Sequence, residues 1–244
     1  MSQNNFDDHF DAPTDLFAAA AAADERTSFI TKTYLWLAGA VLAMVGIEFA
    51  LFAAFGIQGA LQLGRMMGGY NWLIVMFLFM GVHWVADKWA SSTTNLGVQI
   101  AGLTLYAVAA SLLLFPLLAL ALVLGGGPNI ILSAGLATGG LFTLMTLAVF
   151  LTRKDFSFLR SFLVFAGLAL FGLIGFSIFF SGVPMTLIIY VGIALACGYI
   201  LYDTSNVMLH YRTDQHAAAS LALLASLFLL FWYVLQLFLA SSRD

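Results

Sequence analysis

Ionisable side chains are scarce in this chain. Asp, Glu, Lys and Arg together make up 9% of its 244 residues, against ~25% in soluble domains. Cysteine is scarcer still. Cys197 stands alone, which excludes an intramolecular disulfide and a cysteine-rich metal site. No internal repeat is visible, so an inverted-repeat transporter is not supported. Catalytic signatures are missing as well: there is no Gly-x-Ser-x-Gly, no nucleotide loop, no haem pair and no metal motif. These absences leave little room for catalysis. No cofactor and no nucleic-acid partner are expected.

Apolar residues fill the space. They make up 62% of the chain, with a mean hydropathy of +1.00, and a soluble fold of this composition would lack the polar surface to cover itself. Lipid is the natural solvent, and there only helices and closed barrels satisfy their own backbones. A barrel would show ~10-residue strands of alternating polarity. The apolar runs here are long and unbroken, so the expected class is an all-α integral membrane protein. Spans of roughly 20 residues fall at Tyr34–Phe55, Asn71–Ala90, Leu96–Leu124, Asn129–Thr152, Leu159–Phe180, Pro184–Met208 and Ala217–Ala240. The breaks carry loop chemistry such as Gly125-Gly126-Gly127-Pro128 and Arg153-Lys154-Asp155. Pro116 is the expected kink point of the third span. Gly135 and Gly139 in the fourth span, with Gly167, Gly172 and Gly175 in the fifth, are expected where helix backbones come close.

Basic residues set the orientation. With a cytoplasmic N-terminus, Arg26, Lys32, Lys88, Arg153, Lys154, Arg160 and Arg212 lie inside, and only Arg65 and Arg243 outside. Lys and Arg favour the cytoplasmic side, so the N-terminus is read as cytoplasmic and the C-terminus as outside. Residues 1–28 read as a flexible acidic cytoplasmic tail, and 29–244 as a seven-helix transmembrane domain. The tail carries Asp7, Asp8, Asp11, Asp15, Asp24 and Glu25 against Arg26. It has neither the basic start nor the cleavage site of a signal peptide. It is either a plain solvated leader or a handle for a partner.

Charged groups at membrane depth are costly and are functional candidates by default. Asp203 lies near the cytoplasmic end of span six and Glu48 well inside span one. A lone carboxylate in a low dielectric takes up a proton unless a cation or several donors hold it charged. Asp203 is therefore a proton-sensitive switch or half of a structural ion pair. Glu48 is read as structural, protonated or hydrogen-bonded to a Ser or Thr of a neighbour. His83 and Asp87 share a helix face beside Lys88 and read as interfacial anchors, since two side chains are too few for a zinc shell. An intramembrane aspartyl protease would need a second aspartate, and span seven contains none.

Three stretches carry a family likeness: Leu201-Tyr202-Asp203-Thr204-Ser205-Asn206, Thr152-Arg153-Lys154-Asp155-Phe156-Ser157-Phe158-Leu159 and the terminal Ala240-Ser241-Ser242-Arg243-Asp244. With the seven spans, they make the chain from Ser28 onward resemble the Bax inhibitor-1 (transmembrane BAX inhibitor motif) family, and its bacterial YccA branch most. The resemblance implies two functions. The branch implies a bacterial inner-membrane protein that binds and modulates a membrane-anchored AAA protease (FtsH-like) or membrane proteins associated with it. Other members imply a pH-sensitive cation or calcium leak, gated by paired aspartates on spans six and seven, with a basic residue at the cytoplasmic end of span two. Asp203 matches the first aspartate. Ser226 stands where the second is expected, which puts a shared-proton gate in doubt here. Lys88 is the candidate for the basic residue.

Overall fold

A computed structural model describes residues 17–19, 21–92, 95–124, 126–180 and 182–242. The first sixteen residues, which hold most of the acidic tail, lie outside that set, as do Gly125 in the third loop and the terminal Arg243-Asp244.

Among the described residues there are seven helices, each long and apolar enough to cross a membrane. They are α1 (Ala23–Met67), α2 (Asn71–Ala90), α3 (Leu96–Leu124), α4 (Pro128–Thr152), α5 (Leu159–Phe179), α6 (Met185–Leu209) and α7 (His216–Ser241). Six of the seven follow the expected spans closely. The exception is α1, which begins at Ala23, ahead of the expected tail boundary, and extends 45 residues. It is broken once, at Gly56 (φ 62, ψ −177), in a region of backbone space that only glycine enters cheaply. The segment beyond Gly56 turns back over α3. A Cβ on Gly64 would lie 3.0 Å from the Pro116 side chain. Pro116 lies within one continuous α3, and the non-helical break of the bundle falls at Gly56 of α1.

Helix α7 is the axis of the bundle and packs against α1, α2, α3, α4 and α6. Its buried residues run from Ala217 to Leu239. Helix α5 sits at the periphery on α6, with Phe77 of α2 edge-on to Phe171 at 5.2 Å. In lipid no hydrophobic drive pulls helices together, so close packing and polar contacts must hold them. The closest backbone approach is at Gly102 of α3. A Cβ there would come within 2.5 Å of the Ala86 carbonyl oxygen and 2.6 Å of the Ala90 nitrogen, both on α2. Gly192 of α6 similarly seats the Tyr233 ring. Of the glycines expected to do this, Gly167 faces the Tyr199 hydroxyl of α6 (3.1 Å from an added Cβ) and Gly175 faces Leu73 of α2 (3.7 Å), while Gly135, Gly139 and Gly172 have open space where a side chain would be. Their faces simply point away from neighbouring helices.

Candidate functional site

Asp203 and Ser226 face each other across the α6–α7 contact. Ser226 is 3% exposed, and its hydroxyl is close enough to the half-buried Asp203 carboxyl to interact. The same hydroxyl lies 3.2 Å from the Leu223 carbonyl and 3.3 Å from the Ala222 carbonyl. A serine has one proton to give. When it goes to a helix carbonyl, Ser226 Oγ can only accept, and a protonated Asp203 is its natural donor. When Asp203 ionises, the serine proton must swing toward it. Asp203 has no cationic partner among the described residues, whose ion pairs are Asp155–His210 and Arg212–Asp214.

Of the other candidates, two come near this pair and two do not. Asp87 and Asp203 both lie within electrostatic reach of Tyr211 in the α6–α7 loop. Burial first, and these carboxyls next, push the Tyr211 phenol above its ordinary value. His83, one turn before Asp87, packs edge-on against Tyr106 at 5.5 Å. Lys88 instead lays its ammonium 4.2 Å over the Trp84 ring on its own helix, a cation–π contact. Glu48 lies apart on α1, 8% exposed, and neither carboxyl oxygen has a hydrogen-bond partner. The bond to a neighbouring Ser or Thr expected for it is not formed. Among the described residues no three His, Cys, Asp or Glu converge.

Above the pair, counted from the cytoplasmic end, stands an aromatic cluster that sequence reasoning missed. Fully buried Tyr106 packs on Phe79 (5.6 Å) and Phe228 (6.3 Å), and those two rings lie 5.7 Å apart. Phe79 and Phe228 also line a cavity of about 940 Å³, together with Arg65, Trp72 and Gln236. In a chain with 23 phenylalanines nothing marks these positions. The only hint is that Phe228 lies two residues past Ser226.

The two motif stretches meet below the pair. Ser205, two residues after Asp203, accepts from the Phe156 amide at 2.9 Å and lies 3.4 Å from the Lys154 carbonyl. The α4–α5 loop is thereby fixed to α6. Asp155 accepts from the Ser157 amide at 2.8 Å and lies 3.5 Å from His210. Replacing Ser205 with alanine leaves the Phe156 amide without that partner. The expected cost is about 1 kcal/mol, read as a lower midpoint of thermal unfolding in detergent.

The Ser157 amide, aided by His210, holds the Asp155 carboxyl below its usual range. A depressed folded value means a stabilising contribution that is full above the unfolded value of about 3.9 and fades as pH falls through the folded one. Asp155→Asn should therefore unfold at a lower temperature than the parent at pH 7, by a margin that is smaller at pH 3. An equal midpoint at both pH values would show that the carboxylate contributes nothing.

Comparison with known proteins points one way. The protein family described as inhibitor of apoptosis-promoting Bax1 matches residues 26–244. An uncharacterized protein of Neisseria meningitidis serogroup A is 26% identical over 94% of this chain and 98% of its own length. An uncharacterized protein of Pseudomonas aeruginosa is 31% identical over 71% of this chain and 77% of its own. Bax inhibitor 1 of Schizosaccharomyces pombe is 35% identical over 45% of this chain and 42% of its own length.

Proposed function

Because the chain belongs to the Bax inhibitor-1 family of multi-pass membrane proteins, we propose that it is a proton-sensitive cation leak of a bacterial inner membrane. The observation that carries this reading is the lone Asp203 carboxyl facing the Ser226 hydroxyl of the central helix, without a cationic partner among the described residues. Protonated, Asp203 is neutral and tied to Ser226, and α6 lies against α7. Ionised, it places a negative charge at the cytoplasmic end of the bundle, which draws in a cation and water. The Phe79–Tyr106–Phe228 cluster is the constriction such a cation must pass to reach the outer cavity. With one carboxyl instead of two, the response follows a single proton and spreads over about two pH units, without the split steps of a coupled pair.

The test is cation entry into liposomes holding the purified chain, followed across the pH range. Flux that rises with pH is expected. A chain that passes no cation at any pH sinks the reading. Phe228→Ala, which opens the constriction, should raise the flux several-fold at every pH while leaving its slope in place. An unchanged flux would remove the aromatic cluster from the path.

A second reading, that the protein binds and modulates an FtsH-like AAA protease, is supported by the position of Phe17 and Ala18. They lie against the α6–α7 loop, so the residues before them start from the cytoplasmic face, where a membrane-anchored protease would work. Deleting residues 2–16 should then lengthen the protein's lifetime in its native membrane and weaken recovery of the protease in mild detergent. If neither changes, the tail is not the handle.

A further inference from the structure

The contact of Phe17 and Ala18 with the α6–α7 loop also bears on the candidate site itself. Phe17 forms an isolated antiparallel bridge with Arg212, and the Ala18 amide donates to the Tyr211 carbonyl at 3.0 Å. Ala18 is wholly buried and belongs to the main core cluster. The chain then turns, with the Ala21 amide donating to the Phe17 carbonyl at 2.9 Å, and enters α1 at Ala23. A segment from the start of the sequence is thus seated on a loop near its end.

That loop is the one carrying Tyr211. It is stiffened from within, since the Tyr211 amide donates to Asn206 and Arg212 binds Asp214 and Gln215. Its far side is held by the first turn of α7. There the Ser220 hydroxyl, which also contacts the His216 carbonyl, lies 2.7 Å from the Thr33 carbonyl of α1. The Tyr211 carbonyl accepts from the N-terminal segment, and its phenol lies within electrostatic reach of the Asp203 and Asp87 carboxyls.

We propose that Phe17 and Ala18 form an autoinhibitory strap, which closes the cytoplasmic end of the Asp203–Ser226 site by pinning the α6–α7 loop so that Tyr211 covers it. The idea rests on the leak reading for what is being closed, though not for the contact itself. The strap is built to let go. Among the described residues it is held by the backbone hydrogen bond from Ala18 to Tyr211 and by the buried Ala18 methyl, and it follows directly on the N-terminal tail. Traction on that tail would lift Ala18 from Tyr211 and uncover the site. Release requires no rearrangement of the helices.

Two substitutions test the strap in the full-length chain. Ala18→Pro removes the N–H that Tyr211 accepts, and Ala18→Arg cannot be seated in the space a methyl fills. Deleting residues 2–16 is the control that keeps the strap. Both substitutions should raise the leak about two- to tenfold at fixed pH, the range that losing one net backbone hydrogen bond allows, and the control should not. A measurable leak that neither substitution alters overturns the proposal.

A second readout is independent of flux. Tyr211→Cys in a Cys197→Ser background is labelled with a membrane-impermeant maleimide, with and without the Ala18 changes. Faster labelling in the Ala18 variants supports the strap, and equal rates overturn it. If no variant passes cations, the leak reading fails and the labelling alone decides whether the strap exists.

Discussion

Replacing Asp203 with asparagine is expected to flatten the pH response of the leak, holding flux at the low level of the protonated wild type from pH 6 to pH 8. Asparagine keeps the shape of the side chain and can still donate to Ser226 Oγ and accept from it, so the α6–α7 contact survives. What disappears is the charge that a rising pH creates. A purely structural Asp203 predicts something else, namely a normal slope with a changed unfolding temperature. Flux and unfolding measured on the same preparation separate the two. A retained slope would falsify the assignment of Asp203 as the sensing group. Ser226→Asp is the converse experiment. It puts a second carboxyl against the first, two like charges that resist ionising together, and the single transition should become two. If the transition stays single, the two side chains do not share a site.

Much of the fold is visible in the residues because lipid imposes it. A span needs length and apolarity, and six of the seven helices fall close to where those two properties change. The break in α1 is not visible that way. Gly56 is one of 22 glycines, and its positive φ is imposed by the outer segment packing over Pro116. The site is legible to the same extent. Asp203 stands out as a carboxyl at membrane depth. That Ser226 faces it follows from the family pattern alone, because no local spacing joins two helices. Tyr106, Phe228 and Tyr211 escape the sequence altogether. Aromatic rings are common here, and their meaning comes from contacts made across the bundle. Glu48 is the opposite case: it is conspicuous in the sequence, and its burial follows from helical spacing, since it continues the buried face of Leu37, Ala40 and Met44 on α1, but its carboxyl has no hydrogen-bond partner.

Gly102→Ala should be the most destabilising small change in the protein. The added methyl would meet the Ala86 carbonyl oxygen and the Ala90 nitrogen at 2.5 and 2.6 Å, and these are main-chain atoms within a helix. No rotamer relieves that clash, so α2 must move away from α3. Overpacking of this kind costs about 1–3 kcal/mol and more where the backbone cannot yield. Gly135→Ala is the matched control. It has open space where the methyl would go, and in a helix interior alanine is favoured over glycine by about 0.5–1 kcal/mol. Unfolding of the two variants in mild detergent should therefore move in opposite directions. Equal destabilisation would mean that the α2–α3 approach is not the tight one. The functional consequence follows from what α2 carries. His83 packs on Tyr106 of α3, and Asp87 lies within electrostatic reach of the Tyr211 that the strap holds in place. Moving α2 outward loosens both contacts at once. A Gly102→Ala protein that still folds should then leak more at every pH, with Asp203 continuing to set the slope.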